Sequence, residues 1–308
     1  MTFPISNTHL EPALLVVIGF TVGVLGGFFG VGGSFLAGPA LFAMGLPMNF
    51  VVGTDLSHIL GKSIVAARRH RALGHVDLKL GVLMAVGTIV GVEAGAQAIE
   101  RLKTKLSVDL YVGIAFTIVL LGISGIMAWE AIATSRAQKP KTKNKNTTKK
   151  PQDHSAFGHV PRWLKTLNWP PPFVDFPVSG IQRLSIWAVL MVSFTGGLFS
   201  GFLGGGAGYI RMPAMVYLLG VPTHIAVGTD LFEIVISATY GTVTHALKGN
   251  VDILIALVMH TGAAVGAQLG AVGTTFFSGP RLRAAFVPLP LIGAVLVIYG
   301  LLNGHHFK

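Results

Sequence analysis

The chain has 308 residues, 52% of them hydrophobic and only 11% charged, with a mean hydropathy of +0.67. Those proportions, with 40 glycines, exclude an ordinary soluble domain and fit an all-α polytopic membrane protein. There is no cysteine, hence no disulfide, thiolate nucleophile or cysteine-held metal, and the formal charge of +11 is no nucleic-acid surface, because residues 135–183 alone hold ten Lys/Arg against two acids.

Residues 1–11 carry no Lys or Arg and so lack the charged start of a cleavable signal; the first span is expected to stay in the mature protein. The first apolar run, 12–44, exceeds the ~20 residues one crossing needs. It contains Gly26, Gly27, Gly30, Gly32 and Gly33 before Ser34 and Pro39. Clustered glycines weaken a helix through backbone entropy, so an interruption is predicted here. Irregular backbone at membrane depth is tolerated where protein or a cavity satisfies it, which points to a site; close packing through small residues is the alternative. Further spans are predicted over 51–67, 80–99 and 106–133, the second and third separated by the basic loop of Arg68, Arg69, Arg71 and Lys79.

Residues 135–183 read as a basic linker, too polar to fold alone over its lysine tract. Its aromatic part, with Phe157, Trp163, Trp169 and Phe173, suits the headgroup level, with anionic lipid as partner rather than nucleic acid. Then the pattern restarts: 186–219, with Gly201, Gly204, Gly205, Gly206 and Gly208 before Pro213, then 225–247, 253–277 and 282–302. About eight spans result.

Residues 20–95 align with 194–270, with one gap near 219, at 26 identities in 76 positions. The chain is therefore read as a duplication: a first transmembrane repeat over 1–134, the linker over 135–183, and a second repeat over 184–308. The Lys/Arg distribution assigns the linker to the cytoplasm, and with an even number of spans per half both termini as well. Four spans per half would relate the repeats in parallel. A second half of each broken run that forms a re-entrant segment would invert them, and both topologies stay open.

Asp55, His58 and Lys62 fall on one helix face by their spacing of three and four. Their counterparts are Asp230, Glu233 and Ser237. An intramembrane charge is costly, about 2.5 kcal/mol or more, and so suggests a polar cavity or a partner. Asp55, His58, Asp230 and Glu233 are candidates for ion coupling, as is Glu93, whose counterpart is Gln268; bundle-holding contacts are the alternative role. Arg211, with no charged counterpart, and Lys62 are candidate countercharges for an anion. The glycine runs follow no strand and lack Gly-Lys-Ser/Thr, which discards a nucleotide-binding loop. An intramembrane hydrolase using Ser34 or Ser200 with His58 or His260 has no local support, so no catalytic residue, metal or cofactor is assigned.

The stretch Gly27-Phe28-Phe29-Gly30-Val31-Gly32-Gly33 with Pro39, its copy Gly201-Phe202-Leu203-Gly204-Gly205-Gly206 with Pro213, and the two Gly-Thr-Asp-Leu segments at Gly53 and Gly228 resemble the TauE/SafE family of sulfite and organosulfur-anion exporters. The resemblance implies a secondary transporter, outward-directed, for a small sulfur-containing anion such as sulfite, a sulfonate or sulfoacetate. Asp55 and Asp230 stand where family members more often carry a small polar residue, and the linker is longer. Amides freed at each break would favour an anion. The candidate substrate-binding residues are Gly30, Gly32, Gly33, Ser34, Thr54, Lys62, Gly204, Gly205, Gly206, Arg211 and Thr229, and the aspartates favour proton or sodium coupling. A non-transporting membrane scaffold is the competing reading.

Overall fold

The computed structural model describes residues 1–103, 108–137 and 170–303. The lysine tract and most of the aromatic part of the linker lie outside the described residues. A short hairpin of β1 (Thr2–Phe3) and β2 (Thr8–His9) precedes α1 (Pro12–Phe29), whose proline sits in the first turn, where a missing N–H costs nothing. α1 stops at Gly30, whose φ of 74° only glycine adopts without strain and whose N–H closes the helix on the Gly26 carbonyl at 2.9 Å. α2 (Ser34–Ala43) follows, then α3 (Met48–Ala72) after Pro47, α4 (Leu78–Lys103) and α5 (Val108–Ala137). The end of the linker forms an antiparallel hairpin, β3 (Phe173–Phe176) and β4 (Ile181–Ser185).

The second half repeats the order. α6 (Ile186–Leu203) ends at a 3₁₀ turn over Gly205–Ala207, followed by α7 (Gly208–Tyr217), α8 (Thr223–Leu247) after Pro222, α9 (Ile253–Gly273), α10 (Gly279–Phe286) and α11 (Pro288–Leu302). Lengths match pairwise: α1 and α6 have 18 residues each, α2 and α7 have 10, α3 and α8 have 25. Among the described residues seven helical segments are long and apolar enough to cross a membrane: α1, α3, α4, α5, α6, α9 with its 3₁₀ extension, and α10 with α11. α8, as long as α3 at ~37 Å, carries Asp230 and Glu233 and is not among these seven. The protein is all-α and polytopic.

Both predicted interruptions exist, and each turns the chain back. Gly33 packs so closely on the Val22 carbonyl that a Cβ would collide with it, so the turn lies against its own helix and α2 runs opposite to α1. Each half thus contains five strokes rather than four. The consequence shows in the pair at the centre: the start of α3 at Gly53 meets the carbonyl of Asn250 beyond the end of α8, and Gly228 near the start of α8 meets the carbonyl of His75 beyond the end of α3. The two equivalent helices are antiparallel, as in the inverted alternative.

This geometry corrects the expected sidedness. The N-terminal hairpin is tied by Ser6 Oγ to Asp252 at 2.8 Å, and Gly300 of α11 packs on Phe42, both at the end where α3 begins. The end of the linker is tied by Ser179 Oγ to Asp77 at 2.7 Å, where α3 has ended. Linker and chain ends therefore lie on opposite faces, because the return stroke of α2 adds an odd element that the hydropathy count merged into the first span.

The halves interlock. α1 runs parallel to α9, with Gly19, Gly23 and Gly27 each against a carbonyl of α9 (Met259, Ala263, Ala267) and Gly262, Gly266 and Gly270 against carbonyls of α1. α4 and α6 do the same through Gly87, Gly91, Gly95, Gly197 and Gly201. This is small-residue packing of the kind that joins helices in lipid, where apolar burial gives no net drive. Both roles of glycine weighed from the sequence, break and packing, are present on different residues.

Candidate functional site

The two glycine breaks meet at the centre of the bundle. Gly30 packs on the backbone of Val227 in α8, and Gly204 packs on the backbone of Val52 in α3, so each break lies across the other half's central helix. Gly32 faces the Gly205 carbonyl between Ile59 and Ile234, and Gly208 lies on the backbone of Val31. α2 and α7 both start here, and neither has a side-chain cap, so their first amides are left for backbone or another acceptor.

Two charged clusters flank the second break. On one side, Asp55 Oδ1 is 3.6 Å from His58 Nδ1, which is 3.4 Å from Lys62 Nζ. The Asp55 carboxylate faces Gly205 and Gly38, next to Ser34. On the other side, Arg211 is paired with both Asp230 and Glu233, Ser237 Oγ lies 3.4 Å from Glu233, and Asp230 Oδ2 packs on Gly208. All of these charged groups are buried. A face-sharing spacing brought Asp55, His58 and Lys62 together, as the sequence predicts. Arg211 is not a free countercharge: it is held between two carboxylates.

With His58 neutral and every carboxylate counted as ionised, the first cluster sums to zero and the second to one negative charge. Burying charges is costly unless they are paired and hydrogen-bonded. Yet Ser34 Oγ, Asp55 Oδ2, His58 Nε2, Asp230 Oδ2 and Glu233 Oε1 find no hydrogen-bond partner among the described residues. The centre therefore holds more polar capacity than it uses.

Three predicted residues lie elsewhere. Thr54 Oγ1 accepts the Asp252 N–H and Thr229 Oγ1 the Asp77 N–H, both at 2.9 Å, so the two Gly-Thr-Asp-Leu segments use their threonines to clamp loops. Glu93 sits on the outer flank of α4 with Gln97 at 3.0 Å, Tyr240 at 3.0 Å and Lys248 at 3.5 Å, away from both clusters. Conversely, Tyr209 is buried at the centre, stacked on Phe116 with ring centroids 6.2 Å apart, and its hydroxyl is partnerless among the described residues. The signal was present in the internal alignment, where Phe35 is its counterpart and only one copy carries the hydroxyl.

The family model described as sulfite exporter TauE/SafE matches residues 15–297. The chain is 25% identical over 299 residues to "Probable membrane transporter protein YunE" of Bacillus subtilis (strain 168), covering 94% of this chain and 98% of that one. It is 25% identical over 294 residues to a "Probable membrane transporter protein" of Xylella fastidiosa (strain 9a5c), covering 92% of each. No solved structure matches the chain.

Proposed function

Because the chain belongs to the sulfite exporter TauE/SafE family and is a multi-pass membrane transporter, we propose that its cargo is a small sulfur-containing oxyanion, sulfite or a sulfonate such as sulfoacetate. In this reading the anion moves outward across the cytoplasmic membrane, coupled to protons or sodium. The observation that carries the reading is the meeting of two glycine breaks between two buried charged clusters. Helix starts present amides and the positive end of a dipole, which suits an oxyanion. The excess carboxylate at Asp230 and Glu233 opposes a bare anion, so a cation must enter the same centre with it or in exchange for it. Asp55, His58, Asp230 and Glu233 are the residues placed to take that cation; Lys62 and the glycine amides face the anion.

Flux of labelled sulfite into proteoliposomes tests this. Saturable uptake or release that follows an imposed proton or sodium gradient is expected. Asp55→Asn and Asp230→Asn keep side-chain size and should abolish the gradient dependence while part of the substrate binding survives. Flux no greater than in protein-free liposomes overturns the transport reading; gradient-driven flux retained in both variants, per folded protein, makes the aspartates structural.

The face carrying Arg68, Arg69, Arg71, Lys79 and the linker is the more basic one, and we read it as cytoplasmic, with its basic tract meeting anionic lipid. The N-terminal hairpin and Asn303 then lie outside. Since the chain has no cysteine, single cysteines report cleanly. A membrane-impermeant maleimide is expected to label Asn7→Cys in intact cells and Arg69→Cys only after permeabilisation. The reverse pattern would invert the protein in the membrane.

A further inference from the structure

Three histidines that the transport reading does not use converge at the linker-facing end. His70, in the last turns of α3, places Nε2 3.0 Å from the Gly27 carbonyl and Nδ1 3.3 Å from Nδ1 of His75. A carbonyl only accepts, so His70 Nε2 bears the proton, its Nδ1 is the acceptor, and His75 Nδ1 must donate. That assignment holds for a neutral His70; protonation of both His70 and His75 would put two N–H groups face to face, so this contact exists only while at least one of the two rings is neutral. The His75 ring lies 5.3 Å from the ring of His224, on the first turn of α8. Gly27 is three residues before the first glycine break, so this chain of rings joins the loop after α3, the start of α8 and the break.

The opposite end holds the same three positions with different chemistry. His245, counterpart of His70, contacts the Gly201 carbonyl at 3.1 Å. The counterparts of His75 and His224 are Asn250 and Asn49, which bond to each other at 3.3 Å. One end is built from three imidazoles, the other mainly from amides, which do not titrate.

We propose that His70, His75 and His224 form a proton-binding latch, which holds the loop of residues 73–77 against α8 at neutral pH and releases it when protonated. The two carboxylates nearest to it are engaged by other donors. Asp77 already accepts from Leu80 N at 3.1 Å and from Ser179 N and Oγ at 3.2 and 2.7 Å, and Asp175 accepts from Arg183 N at 2.7 Å. Arg283 of α10 donates to Thr223 beside His224, Lys79 of α4 is on the Asp175 carbonyl, and Arg68, Arg69 and Arg71 flank His70 on α3. The surroundings are cationic, so protonated rings repel one another and their neighbours. Burial, and then His224 beside it, hold the His75 pKa below the ordinary imidazole value. The folded state therefore favours the neutral ring: its stabilisation is complete above about pH 6.5 and is lost as pH falls through the lowered value. Release of the loop would also free the Thr229 clamp and uncover Gly228, one residue from the Val227 that packs on the first break.

Hydrogen exchange of the detergent-purified full chain, without substrate, tests the latch independently of what is transported. After correction for the intrinsic pH dependence, amides of residues 70–77 should exchange at least tenfold faster at pH 5.5 than at 7.5, while those of 245–252 change less than twofold. In His75→Asn/His224→Asn, which copies the chemistry of the other end, the rise should disappear. No rise in the unmodified protein, an equal rise at both ends, or a rise that survives in the double variant overturns the proposal. Should the double variant not fold, the comparison of the two ends in the unmodified protein decides alone.

Discussion

Arg211→Ala is expected to unfold a large fraction of the protein. Its guanidinium is the only group paired with both Asp230 and Glu233 among the described residues, and all three are buried. Removing one partner of a buried ion pair leaves charge with neither water nor counterion, which costs about 3–5 kcal/mol. In a detergent-solubilised sample the melting temperature should fall by roughly 10 °C. The triple variant Arg211→Ala/Asp230→Asn/Glu233→Gln removes the stranded charges as well and should melt much closer to the parent, because coupled sites are not additive. A single variant that melts like the parent would show that the cluster is solvated rather than closed.

Replacing Gly205 by alanine is expected to lower transport by tenfold or more per folded molecule. A Cβ there would collide with the Ser34 side chain and stand 3.1 Å from Asp55 Oδ2, where the two breaks touch. Gly205 also has φ of 76°, a conformation that costs an alanine roughly 1–2 kcal/mol. Gly45→Ala separates the two effects: its φ is 98°, yet nothing lies within 4 Å of its Cβ position. That variant should lose a similar amount of stability and keep its flux. Equal transport losses in both would assign the effect to backbone strain, not to the contact between breaks.

Much of this architecture was legible because it is local. Glycine density marked both interruptions, apolar length marked the spans, and a spacing of three and four residues put Asp55, His58 and Lys62 on one face. What was not legible depends on direction or on distant pairing. Hydropathy measures how long a run is and not which way it travels, so the 12–44 run read as one span until α2 was seen to return. The capture of Arg211 by Asp230 and Glu233 joins α7 to α8 across a turn, with no helical period to announce it. Thr54 and Thr229 belong to the most alike segments of the two halves, where the threonines serve loop clamps while Asp55 and Asp230 next to them face the centre.

The interlocked halves set a problem for biogenesis. α1 leaves the ribosome some 240 residues before α9, the helix whose carbonyls its glycines meet. At about 5–20 residues per second that is roughly 10–50 s during which a glycine-lined groove has only lipid beside it. α4 waits a shorter time for α6, across the whole linker. The first half is therefore an assembly intermediate whose two contact faces are completed only by later synthesis, and long-range closure of this kind is slow. The described end of the linker is tied to the first half at Asp77 and Lys79, so the second half starts from a fixed point beside helices made before it.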